Sequence, residues 1–281
     1  MQPAARRDVP LSEADFARLQ RMIEQRSGIF VTSPALLVQR LTRRLRDLEL
    51  DTFGAYCARL THDADEQTHM LECICTHETR FFREPQQLQF FETVCHGWHA
   101  RADQGSRERA LRVWSAGCAS GEEPYTLAMI LRAHLPAWRV EILASDLSSC
   151  ALGRVDAATW PIARASEIPD TYLRRFMLQG TGTQDGWMRA APELQALVRS
   201  QRINLVEPDG PPEGHFDAVF CRNVLIYFRE PFRTRVLERL LRHLTPGGYL
   251  FLGHAEGLGA HSHDVRAVGP IVYQSAAQGA R

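Results

Sequence analysis

The chain has 281 residues, 44% hydrophobic and 23% charged, and its 33 basic and 33 acidic side chains balance to a formal net charge of zero. That length suits one large domain or two modest ones, and the charge balance excludes a generic polyanion binder, though not a local basic patch. No Lys occurs anywhere, so Schiff-base and P-loop lysine chemistry are excluded as well. At the N-terminus, Met1 to Asp8 is followed by no apolar stretch, so no signal peptide is expected. No run approaches the ~20 apolar residues that span a bilayer. Residues 11 to about 75 read as all-helical. Ser12 with Asp15 caps a helix carrying Phe16, Leu19 and Ile23, which Ser27-Gly28 ends. A second helix begins near Ser33-Pro34 with Leu37, Leu41, Leu45 and Leu48 on one face and Arg40, Arg43, Arg44 and Arg46 on the other. As composition alone, such an Arg face is a solvated helix surface or a patch for an acidic partner. Thr52 opens a third helix with Phe53, Tyr56 and Leu60, and a fourth runs from about Asp65 to Ile74.

Residues 76–110 read as a linker that carries Thr76 to Pro85, with its Phe81-Phe82-Arg83, then a helix with Leu88, Phe90 and Phe91 and a polar stretch from Arg101 to Arg109. From Leu111 the pattern alternates strand and helix: strand 111–116, helix 122–134, strand 139–145, helix 148–157, strands 202–206 and 216–222, helix 230–244 and strand 248–254. Pro246-Gly247-Gly248 reads as a helix-to-strand turn. Between about 160 and 200 the alternation breaks around Gly180, Gly182 and Gly186. This stretch reads as an insertion, a small antiparallel sheet with a short helix.

The first strand, Val113-Trp114-Ser115-Ala116, runs into Gly117-Cys118-Ala119-Ser120-Gly121-Glu122-Glu123. Small residues there let a ligand approach the backbone closely. At the carboxyl end of a parallel strand, such a loop marks a nucleotide-type pocket, and Asp146 at the tip of the next strand is placed for ribose hydroxyls. The dinucleotide fingerprint G-x-G-x-x-G is absent, and Glu122 and Glu123 would repel a pyrophosphate. A phosphate-free, positively charged nucleoside fits better, and S-adenosylmethionine is both. Acids on the favourable end of a helix dipole are the simpler alternative.

A further apolar strand ends on Arg222-Asn223, with Tyr227 four residues later, where polar side chains would sit over the ligand crevice. Cys118 and Ser120 do not form a G-x-S-x-G elbow. His69, Cys73, Cys75 and His77 lack zinc-ligand spacing, so no metal is expected. The seven Cys are scattered and odd in number, which reads as reduced thiols in a cytoplasmic protein.

Three strings, Thr76-His77-Glu78-Thr79-Arg80-Phe81-Phe82-Arg83-Glu84, Val113 to Tyr125 and Ala144-Ser145-Asp146, resemble the chemotaxis receptor methyltransferases of the CheR type. So do Ile203-Asn204-Leu205, Phe216 to Phe228 and Gly253-His254-Ala255-Glu256. The resemblance runs in order over nearly the whole chain. It implies an α/β fold: a Rossmann-like S-adenosylmethionine methyltransferase domain over 111–281 with a small β-subdomain insertion, preceded by an all-α receptor-recognition domain over 1–75. It implies methyl transfer from S-adenosylmethionine to glutamate side chains on the cytoplasmic helices of chemoreceptors. By position it makes His77, Thr79, Arg83, Glu123, Asp146, Asn204, Leu205, Arg222 and Asn223 cofactor-contacting. It puts Arg83 and Tyr227 nearest the transferred methyl. It lays the Arg40, Arg43, Arg44 and Arg46 face against the acidic receptor.

In some members of that family the β-subdomain docks a receptor tail peptide. Here Gln179 falls near where those members carry Arg, and one residue is inserted before Gly180, which weighs against tail docking. His77 stands where the family has Asn. Two rival readings remain at this level: a methyltransferase acting on nucleic acid or a small molecule, and a non-enzymatic nucleoside sensor. Neutral charge weighs against the first, and the retained Arg83, Arg222 and Tyr227 weigh against the second.

Overall fold

The structure, a computed structural model, describes residues 9–105, 108–208, 212–259 and 265–276. Met1 to Asp8, read for a leader, and the outer domain ends at 1 and 281 lie outside the described residues. The chain divides into two compact units, Met1–Thr76 with Tyr227–Arg233, and His77–Ile226 with Thr234–Arg281.

The first unit holds α1 (Glu13–Ser27), α2 (Pro34–Asp47), α3 (Phe53–Leu60) and α4 (Ala64–Ile74). Each begins where a side-chain oxygen takes up an otherwise unpaired N–H. Ser12 accepts from the Asp15 amide, Ser33 from Leu36, Thr52 from Ala55 and Asp63 from Glu66. Gly28 closes α1 at φ 73°, a left-handed position that glycine adopts without a Cβ penalty. Leu19, Ile23, Leu37, Leu41, Leu45, Phe53, Tyr56 and Leu60 are fully buried. A returning segment joins this unit: Phe228 bridges Ile29, the Phe30 amide donates to the Tyr227 carbonyl at 2.8 Å, and the Arg229 guanidinium sits 4.1 Å from the centre of the Phe30 ring.

The Arg face of α2 needs one correction. Arg43 and Arg46 are exposed and Arg40 is half-buried, but Arg44 turns inward. It lies seven residues after Leu37 and three after Leu41, so the helical period returns it to the leucine side. There its Nε donates to both carboxylate oxygens of Glu66 at 3.0 and 3.2 Å, and its Nη2 also donates to Glu66. The Tyr56 hydroxyl donates to the same carboxylate at 2.8 Å. Glu66 is 2% exposed, so this fork is a structural ion pair inside the bundle.

The second unit opens with α5 (Pro85–Asp103) and continues through β1 (Ala110–Ala116), α6 (Glu122–His134), β2 (Arg139–Asp146) and α7 (Ser149–Ala157). The insertion follows as β3 (Thr159–Pro161), a short helical turn Ile162–Glu167, α8 (Asp170–Phe176), β4 (Met177–Gln179), β5 (Trp187–Ala190) and α9 (Pro192–Gln195). The chain then returns through β6 (Val198–Arg202), β7 (Phe216–Cys221), α10 (Phe232–Arg242), β8 (Leu244–Leu252), β9 (Val265–Gly269) and β10 (Val272–Ser275). The main sheet has the order β6-β2-β1-β7-β8-β10-β9. Its first five strands are parallel; at the far edge β10 pairs antiparallel with β8, and β9 pairs antiparallel with β10.

From β1 the chain winds outward through β2 to β6, then crosses back to β7 on the other side of β1. The switch point therefore lies between the carboxyl ends of β1 and β7, where open α/β sheets bind ligands. Central strands covered on both faces explain the continuous apolar runs there. Phe91 of α5 packs edge-on against Phe220, their centres 5.1 Å apart, and Phe220 stacks on Phe251 at 4.1 Å.

Four expectations change. Residues 76–110 hold α5, whose Phe91, Val94, Cys95 and Trp98 belong to the core of this unit, so most of that stretch is built into the fold. The strand expected at 202–206 is β6 at Val198–Arg202. As an edge strand it carries polar residues, while the apolar Ile203 and Leu205 that suggested a strand sit in the loop beyond it. Pro246-Gly247-Gly248 lies within β8 at an irregularity in its pairing with β7, not in a turn before the strand. The antiparallel β9 and β10 were not expected. The insertion forms the expected small antiparallel sheet, order β3-β5-β4, with Gln179 exposed on the β4 edge.

Candidate functional site

The loop after β1 follows a backbone path that needs its small residues. Gly117 has φ 81° and Gly121 φ 100°. A Cβ on Gly117 would lie 2.5 Å from the Val224 Cγ2, and one on Gly121 would lie 3.3 Å from Trp160. Gly117 and Cys118 donate their N–H groups to the Ser145 carbonyl at 2.8 and 2.9 Å. Ala119 donates to Asp146 Oδ2 at 2.9 Å and Gly121 to the Cys118 carbonyl. These N–H groups bind the loop to its own neighbours, so they form no cradle for a phosphate.

Carboxylates dominate the rest. Arg222, at the end of β7, is buried, and its Nη1 donates to Glu123 Oε2 at 3.1 Å. Its Nη2 lies 3.3 Å from Glu84 Oε2 and donates to the Arg83 carbonyl. Glu123 also accepts from the Ser115 hydroxyl at 2.7 Å, and Glu84 lies 3.0 Å from His254 Nδ1. Burial pushes Glu123 above the usual carboxylate range; Arg222 and Ser115 pull against this, and the nearby Glu84 adds to it. Burial also pushes Glu84 up, but Arg222 and His254 outweigh it and hold that carboxyl low. Burial first, then Asp146 and Glu123, raise the Cys118 thiol well above its ordinary value, so Cys118 is no thiolate nucleophile. Asp146 adds a third carboxylate, with His77 Nε2 3.9 Å from its Oδ1. Three acids against one buried Arg suit a cationic ligand without phosphates.

The remaining contacts hold backbone in place. The Asp146 carbonyl accepts from the Ile203 amide at 3.1 Å, which anchors the Asn204-Leu205 loop beside it. Arg239 of α10 donates to the carbonyls of both, at 3.0 and 3.2 Å. Asn223 sits at φ 60° with its amide on Glu256 Oε2 at 3.0 Å, and Glu256 also accepts from the Gly253 and Ile226 amides. Among the described residues, Arg222 Nε and Asn223 Oδ1 are buried without a hydrogen-bond partner. Thr79 and Arg83 lie in a segment where Phe82 (φ 50°) and Glu84 (φ 58°) take left-handed conformations that cost about 1–3 kcal/mol each. Arg83 donates to the Glu78 carbonyl at 3.1 Å. The second unit thus carries all nine residues expected at the cofactor. Tyr227 ends the helical turn Leu225–Tyr227 and belongs to the first unit by its contacts.

Residues 77–272 match the CheR methyltransferase SAM-binding domain, and residues 14–75 match the CheR methyltransferase all-alpha domain. The chain belongs to the CheR methyltransferase family. It is 37% identical over 266 residues to chemotaxis protein methyltransferase 2 of Pseudomonas aeruginosa, covering 93% of each chain. It is 35% identical over 271 residues to the chemotaxis protein methyltransferase of Klebsiella aerogenes, covering 94% of this chain and 90% of the relative. Against that of Escherichia coli it is 33% identical over 269 residues, covering 94% and 91%. The cofactor of this CheR methyltransferase is S-adenosylmethionine, and the loop and acids described above suit its phosphate-free nucleoside and its sulfonium. No helix among the described residues is long and apolar enough to cross a membrane.

Several site residues carry no local signal in the sequence. Glu84 stands in the Phe-Phe-Arg-Glu string, yet its pairing with Arg222 joins residues far apart in the chain. Glu256 holds the Asn223 amide from 33 residues further along the chain. Glu122 and Glu123 at a helix start, and Asp146 and Arg222-Asn223 at strand ends, do have a nearby pattern that marks them.

Proposed function

We propose that this enzyme methylates glutamate side chains on the cytoplasmic helices of chemoreceptors, forming glutamate methyl esters in adaptation of a chemosensory pathway. The observation that carries this reading is that one chain keeps, in order, both the all-α and the cofactor domains, at a third or more identity to chemotaxis methyltransferases over most of its length. S-adenosylmethionine supplies an electrophilic methyl on a sulfonium. The substrate glutamate, with an ordinary pKa of about 4.3, is already ionised and attacks through a carboxylate oxygen without a general base. The C–O bond forms as the S–CH₃ bond breaks, so carboxylate and sulfonium become ester and thioether. Opposite charges disappear in that step, which favours a dry pocket and in-line alignment.

In this reading Glu123, Asp146, Asn204, Leu205, Arg222, Asn223, Thr79 and His77 hold the cofactor, and Arg83 and Tyr227 orient the carboxylate. An Arg that bound the substrate too tightly would stabilise the ground state and slow transfer. Asp146→Asn is expected to weaken S-adenosylhomocysteine binding by about 1–3 kcal/mol, because a buried charged acceptor is lost. Calorimetry giving wild-type affinity would remove Asp146 from the cofactor site.

Arg40, Arg43 and Arg46 form the receptor-facing surface of α2 in this reading, without the internally paired Arg44. Incubation with labelled S-adenosylmethionine and receptor cytoplasmic fragments should produce alkali-labile methyl groups. Arg43→Glu/Arg46→Glu should lower kcat/KM for receptor by about tenfold or more at low salt, with the deficit shrinking as salt screens the surface. Wild-type rates for this variant at every salt concentration would reduce the face to a solvated surface.

A further inference from the structure

Arg164 belongs to the insertion, in the helical turn Ile162–Glu167. Its Nη2 donates to Glu122 Oε1 and to the Thr79 carbonyl, both at 3.0 Å, and its Nη1 donates to Glu167 Oε1 at 2.6 Å. Glu167 uses its other oxygen to accept the Phe81 amide at 2.9 Å. Glu122 is 1% exposed and accepts the Ser120 hydroxyl at 2.7 Å. Trp160 of β3 repeats the bridge in apolar form: its indole N–H donates to the Ser120 carbonyl at 3.3 Å and its ring meets Phe81 at 5.0 Å. The insertion therefore grips the cofactor loop at Ser120 and Glu122 and the methyl-site segment at Thr79 and Phe81.

We infer that Arg164 is a positioning residue for methyl transfer: it sets the Thr79 to Arg83 segment in register with the cofactor loop. This rests on the reading of Arg83 and the cofactor residues given above. The backbone from Thr79 to Arg83 is tied at four points, the Thr79 carbonyl, the Phe81 and Phe82 amides and the Arg83 carbonyl. Arg164 supplies the first directly and orients Glu167 for the second. A planar guanidinium reaches all three acceptors from one fixed fork, whereas an ammonium on a flexible stem cannot hold them in the same plane. Small misplacement of a group that aligns the reaction is amplified in the rate. A side chain that merely glued the fold would lower rate and affinity only as far as it lowered the folded fraction.

The test uses the full chain with Arg164→Lys, which keeps a cation beside buried Glu122, and Glu167→Ala, which releases the Phe81 amide but leaves the Arg164 to Glu122 pair. Both should stay folded by circular dichroism at the assay temperature. Single-turnover methylation of a receptor fragment should fall about tenfold in each, with KM for receptor within about twofold of wild type. Arg83→Ala should cost several-fold less in the Arg164→Lys background than in the wild type, because the segment it acts from is already displaced. Additive losses, or losses equal to the loss of folded protein, would overturn the assignment. A wild-type chain inactive on every receptor fragment would sink the receptor reading instead. Calorimetry would then decide the role of Arg164: a roughly tenfold weaker affinity of folded Arg164→Lys for S-adenosylhomocysteine supports it, and wild-type affinity overturns it.

Discussion

Arg222→Met is expected to abolish cofactor binding and to destabilise the methyltransferase unit by about 3–5 kcal/mol at neutral pH. Arg222 is the buried cation facing both Glu84 and Glu123. Without it the two carboxylates repel each other in a poorly solvated site, and the Arg83 carbonyl loses its donor. The deficit depends on pH in a defined direction. Arg222 and His254 hold the Glu84 carboxyl low against burial. Stability from a depressed carboxyl is present above its unfolded pKa and is lost as pH falls through the folded value. The gap between wild type and Arg222→Met should therefore narrow on acidification, as the carboxylates become neutral in both. Urea unfolding at neutral and mildly acidic pH measures it, and a gap that stays constant would show that the carboxylates are not the cause. Arg222→Met/Glu84→Gln/Glu123→Gln should recover much of the stability while remaining unable to bind cofactor, because no buried charge is left unpaired.

Arg44→Met should destabilise the all-α unit by about 3–5 kcal/mol, whereas Arg43→Met, on the same helix, should stay within about 0.5 kcal/mol of wild type. Arg44 is the cation forked onto Glu66, while Arg43 is exposed. Burial pushes the Glu66 carboxyl up, but hydrogen bonds from Arg44 and Tyr56 outweigh it and hold it below the usual carboxylate range. By the same linkage, that stabilisation is present above the ordinary Glu pKa and disappears as pH falls through the lowered value. Amide hydrogen exchange on α2 and α4 follows this unit within the full chain. Equal protection in the two variants would return Arg44 to the solvated face.

Which parts could be read in advance follows from the range of the forces involved. Helix starts at Ser12, Ser33, Thr52 and Asp63 are local: a side-chain oxygen reaches an amide within three residues. Strands β1, β2 and β7 are central and covered on both sides, so each is an apolar run. β6 is an edge with polar residues, and a period-two search has little to find there. The basic face of α2 differs from its sequence reading at one position because Arg44 follows the 3.6-residue period back to Leu37, a consequence of helix geometry that charge alone does not show.

The family, the cofactor class and the order of the two domains were determined by the sequence itself, because Gly117 to Glu123, Asp146 and Arg222-Asn223 are contiguous strings whose spacing is set by strand tips and short loops. The tertiary structure alone decided which charges meet. Arg222 reaches Glu84 and Glu123, Arg164 reaches Glu122 and Thr79, and Glu256 reaches Asn223 and Gly253. Most of these partners are tens of residues apart, on strands and turns brought together by the crossover at β1 and β7 and by the packing of the insertion. A chain of one-dimensional signals holds no term for such pairs: their cost and their benefit both arise from burial, which exists only after the sheet has closed over them.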